Sequence, residues 1–161
     1  MSINKDFQHI KMVITDFDGV ITDNFVYVDS KGAMSRRLNF KDIMACSLLK
    51  KNNIKIGIIS GEANSAIEIL AKKFDIEEVH QGIRNKLEVL NSIVQKYNLK
   101  EDEYIYIGDD INDFDSLVAA QLAFTVPNAV DKVKNIEGIN ITQNQGGNGA
   151  FREIVDSILN L

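Results

Sequence analysis

The chain has one cysteine and one proline in 161 residues. A single thiol, Cys46, excludes an intrachain disulfide and a zinc site made of cysteines alone. It lies in a helix-like apolar run, where core packing is expected. Low-complexity segments, internal repeats and linkers are also missing, so a single domain is expected over 1–161. No apolar stretch approaches the roughly 20 residues of a membrane span. Residues 1–6 lack the apolar core of a signal peptide. Positive charge is not in excess either: the net charge is -5. That removes the basic field expected of a partner for nucleic acid or an anionic membrane. A cytoplasmic enzyme or binding domain is the expectation.

What the chain does have is alternation. Hydrophobic residues make up 45% and charged residues 25%, enough for one substantial core. Apolar, β-rich runs at 11–15, 54–59, 78–81, 104–107, 122–126 and 140–142 read as strands. Helical spacing of apolar residues predicts helices over 41–52, 63–74, 86–97, 113–119 and 150–159. Residues 25–39 read as a β-hairpin turning at Asp29-Ser30-Lys31-Gly32. Strands that are apolar on both faces and separated by helices imply a parallel sheet covered on both sides, a three-layer α/β fold. Ligands in such sheets bind beyond the strand C-termini.

The residues just past those strands carry the chemistry. The first strand ends at Asp16-Phe17-Asp18-Gly19, with two carboxylates on one side of an extended chain. Ser60-Gly61-Glu62 follows the second, Gln81-Gly82 the third, and Gly108-Asp109-Asp110 with Asp113 the fourth. Lys86 opens the helix after Gln81-Gly82. Buried acids at strand ends are costly without a cation. Asp16, Asp109 and the Asp18 carbonyl can supply hard oxygen ligands for Mg²⁺. Ser60, Gly61 and Lys86 can hold phosphate oxygens. Each piece alone has a plain reading as a turn, a helix cap or a solvated lysine. All four in strand order favour phosphoryl transfer.

These residues resemble the four motifs of the haloacid dehalogenase-like phosphatases. The resemblance covers nearly the whole chain and implies a Rossmann-like fold. It implies Asp16 as nucleophile, Asp18 as acid/base, Ser60 and Lys86 as phosphate ligands, and Mg²⁺ on Asp16, Asp18 and Asp109. It leaves Asp110 and Asp113 to orient metal-bound water or Lys86. Many members of that superfamily carry a cap domain. Here 19–59 holds only the hairpin and one helix, and 61–85 only a helix and a short strand, so no cap domain fits. The layout resembles the capless subgroup acting on eight- and nine-carbon keto-sugar acid phosphates, on 16–23, 38–42, Gln81-Gly82, Asn85-Lys86 and the Gly-rich tail with Arg152-Glu153. That likeness implies a homotetramer whose hairpins associate, with the tail near 145–152 or a neighbouring subunit covering the site.

Within the subgroup, Glu62 followed by Lys73 resembles the nine-carbon pattern, because an arginine follows Ser-Gly in the eight-carbon enzymes. Lys41 resembles the eight-carbon pattern. The expected substrate is a nine-carbon keto-sugar acid 9-phosphate, with the eight-carbon 8-phosphate as the alternative. Glu62, Lys73, Asn39, Lys41 and Arg152 are the expected specificity residues. A receiver module is disfavoured by the order of the acidic pair and the lysine. A silent oligomerisation domain is the remaining rival of another class.

Overall fold

The computed structural model describes residue 7 and residues 9–161. Six strands form one parallel sheet in the order β5-β4-β1-β6-β7-β8. They are β1 (Met12–Thr15), β4 (Lys55–Ile59), β5 (Glu78–His80), β6 (Tyr104–Ile107), β7 (Ala123–Thr125) and β8 (Asn140–Ile141). β1 is buried at all four positions and pairs with β4 on one side and β6 on the other. The chain builds outward from β1 through β4 to β5, then returns to place β6 on the opposite side. The reversal makes the crevice between the C-terminal ends of β1 and β6 the topological switch point, where such sheets bind ligands.

Strand periodicity divides the core. Val13, Ile56, Ile58, Ile105 and Ile107 face α1 (Phe40–Lys51), α2 (Ser65–Phe74) and α6 (Ala150–Leu159). Met12, Ile14, Ile59, Tyr104 and Tyr106 face α3 (Lys86–Lys96), α4 (Phe114–Ala119) and α5 (Asp131–Lys134). Three helices begin at asparagines whose side chains accept backbone amides: Asn39 from Lys41, Asn64 from Ile67 and Asn85 from Glu88. Cys46 is buried in α1, and burial pushes its thiol pKa up to about 12, as a core cysteine should behave.

β2 (Thr22–Val28) and β3 (Met34–Leu38) form the antiparallel hairpin, separate from the main sheet. Asp29 Oδ1 accepts the amides of Lys31 and Ala33 and shapes the turn. The hairpin leaves Phe25, Tyr27, Val28 and Met34 exposed. Only this hairpin and α1 lie between β1 and β4, and only α2 and β5 between β4 and α3, so no cap domain stands over the crevice.

Two local features were not expected. The helix expected over 113–119 is observed as α4, Phe114–Ala119, but a 3-10 turn, Ile111–Asp113, runs directly into it. The cause is a reciprocal cap between Asp110 and Asp113, which tightens that turn. The short helix α5 carries too few residues for a periodic signal and was not expected.

Candidate active site

Asp16 follows β1, and its amide donates to the Ile107 carbonyl of β6, so the strand end is fixed before the side chain leaves it. Its Oδ1 accepts the Phe17 amide at 2.6 Å. Its Oδ2 lies 2.9 Å from Lys86 Nζ. Lys86 occupies the first position of α3 and is fully buried. A buried ammonium needs charged partners, and it has two, the second being Asp113 Oδ1 at 2.8 Å. Burial pushes the lysine pKa down, but Asp16 and Asp113 outweigh burial and hold it above the ordinary range.

Asp113 is fully committed. Its Oδ1 also accepts the Tyr106 hydroxyl at 2.8 Å, and its Oδ2 accepts the amides of Asp109 and Asp110 at 3.2 and 3.4 Å. Carboxylate oxygens of Asp16, Asp109 and Asp113 lie within 4.8 Å of one another. With its lone pairs taken, Asp113 is a support for Lys86, and the donors left for a cation are Asp16 and Asp109.

Asp109 follows β6 and is buried, yet among the described residues its only side-chain donor is the Asn24 amide at 3.5 Å. Burial first, then the charges of Asp113 and Asp110, push its pKa up to about 7. Burial and the nearby Asp113 push Asp16 well above the usual carboxylate range, against the pull of Lys86. Two hard-oxygen donors, under-compensated by positive charge, fit Mg²⁺, whose charge would reverse both shifts. Gly19 brings the backbone against this pair. It sits at φ +91, and a Cβ there would lie 1.9 Å from Asp109 Oδ2. Only glycine fits.

Around this centre is an open cleft of about 480 Å³ lined by Asp16, Asp18, Ser60, Glu62, Arg84 and Asp109. Gly61, Asp110, Asn24 and Asn112 complete much of its wall. Ser60 is buried after β4. Its hydroxyl donates to the Glu62 carbonyl at 2.8 Å, and the Glu62 amide donates back at 3.2 Å. Asp110 is exposed and caps the 3-10 turn through the Ile111 amide. Asp18 Oδ1 accepts from Arg36 Nε at 2.7 Å, a contact not expected from the sequence. Arg84, Asn24 and Asn112 were also missed. Arg84 and Asn112 do follow strand ends, so that rule held a signal for both.

Of the five expected specificity residues, only Glu62 lines this cleft within one chain. Asn39 is the N-cap of α1. Lys73 lies over the Phe74 ring, 5.5 Å from its centroid, on the outer face of α2. Arg152 pairs with Asp156 at 2.6 Å, and with Lys41 it lines a different cleft beside α6. Within one chain these five side chains do not converge on the cleft. Three elements, α1, α2 and α6, point them elsewhere.

The model of haloacid dehalogenase-like hydrolases matches residues 22–154. A 3-deoxy-D-manno-octulosonate 8-phosphate phosphatase of Haemophilus influenzae is 28% identical over 157 residues, covering 98% of this chain and 87% of that protein. A crystal structure of a phosphatase of the same name from Moraxella catarrhalis, in complex with magnesium ion, phosphate ion and KDO, superposes with a TM-score of 0.90. It is 30% identical and covers 96% of this chain and 88% of that one. A probable phosphatase from Pseudomonas syringae is 32% identical with a TM-score of 0.90, covering 96% and 87%. With the site geometry above, these matches mean that the chain belongs to the haloacid dehalogenase-like hydrolases, as a phosphatase.

Proposed function

We propose that this chain is a Mg²⁺-dependent phosphomonoesterase for an eight-carbon keto-sugar acid phosphate, 3-deoxy-D-manno-octulosonate 8-phosphate or a close analogue. The observation that carries the chemistry is the contact, at 2.9 Å, between the buried Lys86 and Asp16, which lines a cleft together with Asp109 and Ser60. The choice of sugar rests on relatives bearing that substrate's name over nearly the full chain. It takes the eight-carbon alternative in place of the nine-carbon substrate expected from Glu62 and Lys73, because the relatives named for a substrate carry the eight-carbon one. A cation for the sugar carboxylate is available at the cleft wall in Arg84. The catalytic carboxylates and Lys86 count against a silent assembly domain.

In this reading Asp16 attacks phosphorus and the P–O bond to the sugar breaks, leaving an aspartyl-phosphate. Asp18 gives its proton to the departing alkoxide, then takes one from the water that attacks the intermediate. The Ser60 hydroxyl, the Gly61 amide and Lys86 hold the phosphoryl oxygens. Asp16, Asp109 and the Asp18 carbonyl hold Mg²⁺, which supplies charge neutralisation at the phosphoryl group. Asp113 keeps Lys86 in place, and Asp110 lies at the rim to orient solvent. The open cleft needs cover against water. We assign that cover to a homotetramer built on the exposed face of the hairpin.

Phosphate release is the test, with eight- and nine-carbon keto-sugar acid phosphates run side by side and Asp16→Asn as the inactive control. Faster turnover of the eight-carbon substrate is expected. Preference for the nine-carbon one would restore the earlier expectation, and parental inactivity on both would reject the reading.

A further inference from the structure

Asp18 is held from one side only. Arg36 Nε donates to its Oδ1 at 2.7 Å, and Thr22 Oγ1 approaches the same oxygen at 3.3 Å. Among the described residues no donor bonds to Oδ2. The Arg36 side chain is only 6% exposed, although it belongs to β3 of the otherwise solvent-facing hairpin. Its neighbour Arg37 points the other way. That side chain is 54% exposed, bonds Asp23 Oδ2 at 2.8 Å and reaches Asn148 Oδ1 at 3.2 Å in the tail. Strand alternation thus sends one arginine of the pair to the cleft and the other to the surface.

A guanidinium bonded to one carboxylate oxygen fixes the plane of that carboxylate, because the bond is charge-assisted and the donor fork is rigid. Resting on the proposed phosphatase reading, we infer that Arg36 is a positioning residue for acid transfer. By taking Oδ1, it leaves Oδ2 as the oxygen that faces the departing alkoxide. Among the described residues Arg36 bonds the Asp18 carboxylate and neither Asp16 nor Asp109. Its effect passes through the orientation of Asp18. Thr22, at the base of the hairpin, supports the same oxygen and also accepts the Gly19 amide at 3.2 Å, tying the hairpin to the loop that carries Asp18.

Leaving-group dependence separates this role from a structural one. An alkoxide needs a proton as it departs, whereas nitrophenolate leaves without one. The kcat/KM values of the parent, Asp18→Asn, Arg36→Met, Arg36→Lys and Arg37→Met would be compared on a sugar phosphate and on nitrophenyl phosphate. kcat/KM reports the steps through leaving-group departure. Arg36→Met is expected to lose about a hundredfold on the sugar phosphate and less than about threefold on the aryl ester, the range of a displaced general acid. Asp18→Asn should show the same selectivity more strongly, Arg36→Lys should recover most of the loss, and Arg37→Met should leave the ratio of the two rates unchanged. Equal losses on both substrates, or none, for Arg36→Met beside a selective loss for Asp18→Asn would overturn the role of Arg36 alone. Absence of selectivity in Asp18→Asn would overturn the assignment of Asp18 and this inference with it. Circular dichroism guards against misfolding, and Arg36→Gln, with the same selective loss expected, carries the test if the methionine variant is unfolded.

Discussion

Asp42, in the first turn of α1, caps the start of α6 across 107 residues of sequence. Its Oδ2 accepts the Gly149 amide and its Oδ1 the Arg152 amide, each at 3.0 Å. The carboxylate is completely buried. Burial pushes its pKa up, and the amide bonds only partly offset this. A buried carboxylate satisfied by amides at a helix start serves as an N-cap supplied from a distant part of the chain.

Asp42→Ala is therefore expected to cost about 1–2 kcal/mol, the usual loss of a side-chain cap. Asp42→Asn, which keeps an acceptor without the charge, should cost less. Urea midpoints measure both. If the asparagine variant is as unstable as the alanine variant, acceptor geometry is not what matters here.

Two glycines of positive φ should respond very differently. At Gly19 a methyl group would collide with Asp109 Oδ2, whereas at Gly32, in the hairpin turn at φ +81, nothing lies within 4 Å. Gly32→Ala should cost about 1–2 kcal/mol in stability from backbone strain, with kcat/KM preserved. Gly19→Ala should lose more than about a hundredfold in kcat/KM, in the range expected when catalytic groups move by an ångström. Thermal unfolding and phosphate release on the same samples read both. Parental activity in Gly19→Ala would mean that Asp109 can move without consequence.

The hairpin face concerns assembly. Phe25 is 72% exposed and Tyr27 66%, with Val28 and Met34 beside them. In the proposed assembly these exposed apolar side chains are what the subunits bury against one another. The double variant Phe25→Glu, Tyr27→Glu should sediment as a smaller species than the parent and lose activity on the sugar acid, because the cleft loses its cover. A parent that sediments as a monomer would remove the basis for the tetramer.

Glu78 gives a pH signature away from the active site. Burial raises its pKa, but bonds from Lys96, His80 and Tyr97 outweigh it and bring the value to about 2, against an ordinary 4.5. A carboxyl depressed by folding contributes its full stabilisation above pH 4.5 and loses it as pH falls toward 2. Lys96 is 61% exposed, so solvent screens the pair, and about 1–2 kcal/mol is expected. Glu78→Gln should lower the thermal midpoint at neutral pH and approach the parent near pH 2. An unchanged difference across that range would refute the ionic origin.

Much of this architecture is readable before any coordinates. Asp16 and Asp109 stand out because a carboxylate directly after a buried apolar strand needs a chemical reason, and strand order then brings them together. The helices announced themselves by apolar spacing. What stays hidden depends on chain segments meeting over long separations. Asp42 looks like any acid in a first helical turn until α6 docks on it. Arg36 and Arg37 are indistinguishable as letters, and only the placement of the hairpin decides which reaches Asp18. Tyr106 reads as a core aromatic, yet its hydroxyl meets Asp113. Glu62 and Lys73 are likewise unequal in space: Glu62 lies in the loop before α2 and lines the cleft, whereas Lys73 sits in the last turn of α2 over Phe74.

The Gly-rich tail adds a temporal consequence. A Cβ at Gly146 would lie 1.7 Å from the Gly19 carbonyl oxygen, and the Gly147 amide donates to the Val20 carbonyl at 3.0 Å. The loop that bears Asp18 is thus braced by backbone made more than a hundred residues later. On the ribosome, Asp16 and Asp18 emerge early but gain that brace only after Gly147 has cleared the exit tunnel. Domains generally fold as units during synthesis, and contacts this distant form late because loop closure must come first. A nascent chain would carry these acids without a finished phosphate pocket until the segment holding Gly146 and Gly147 has emerged and docked.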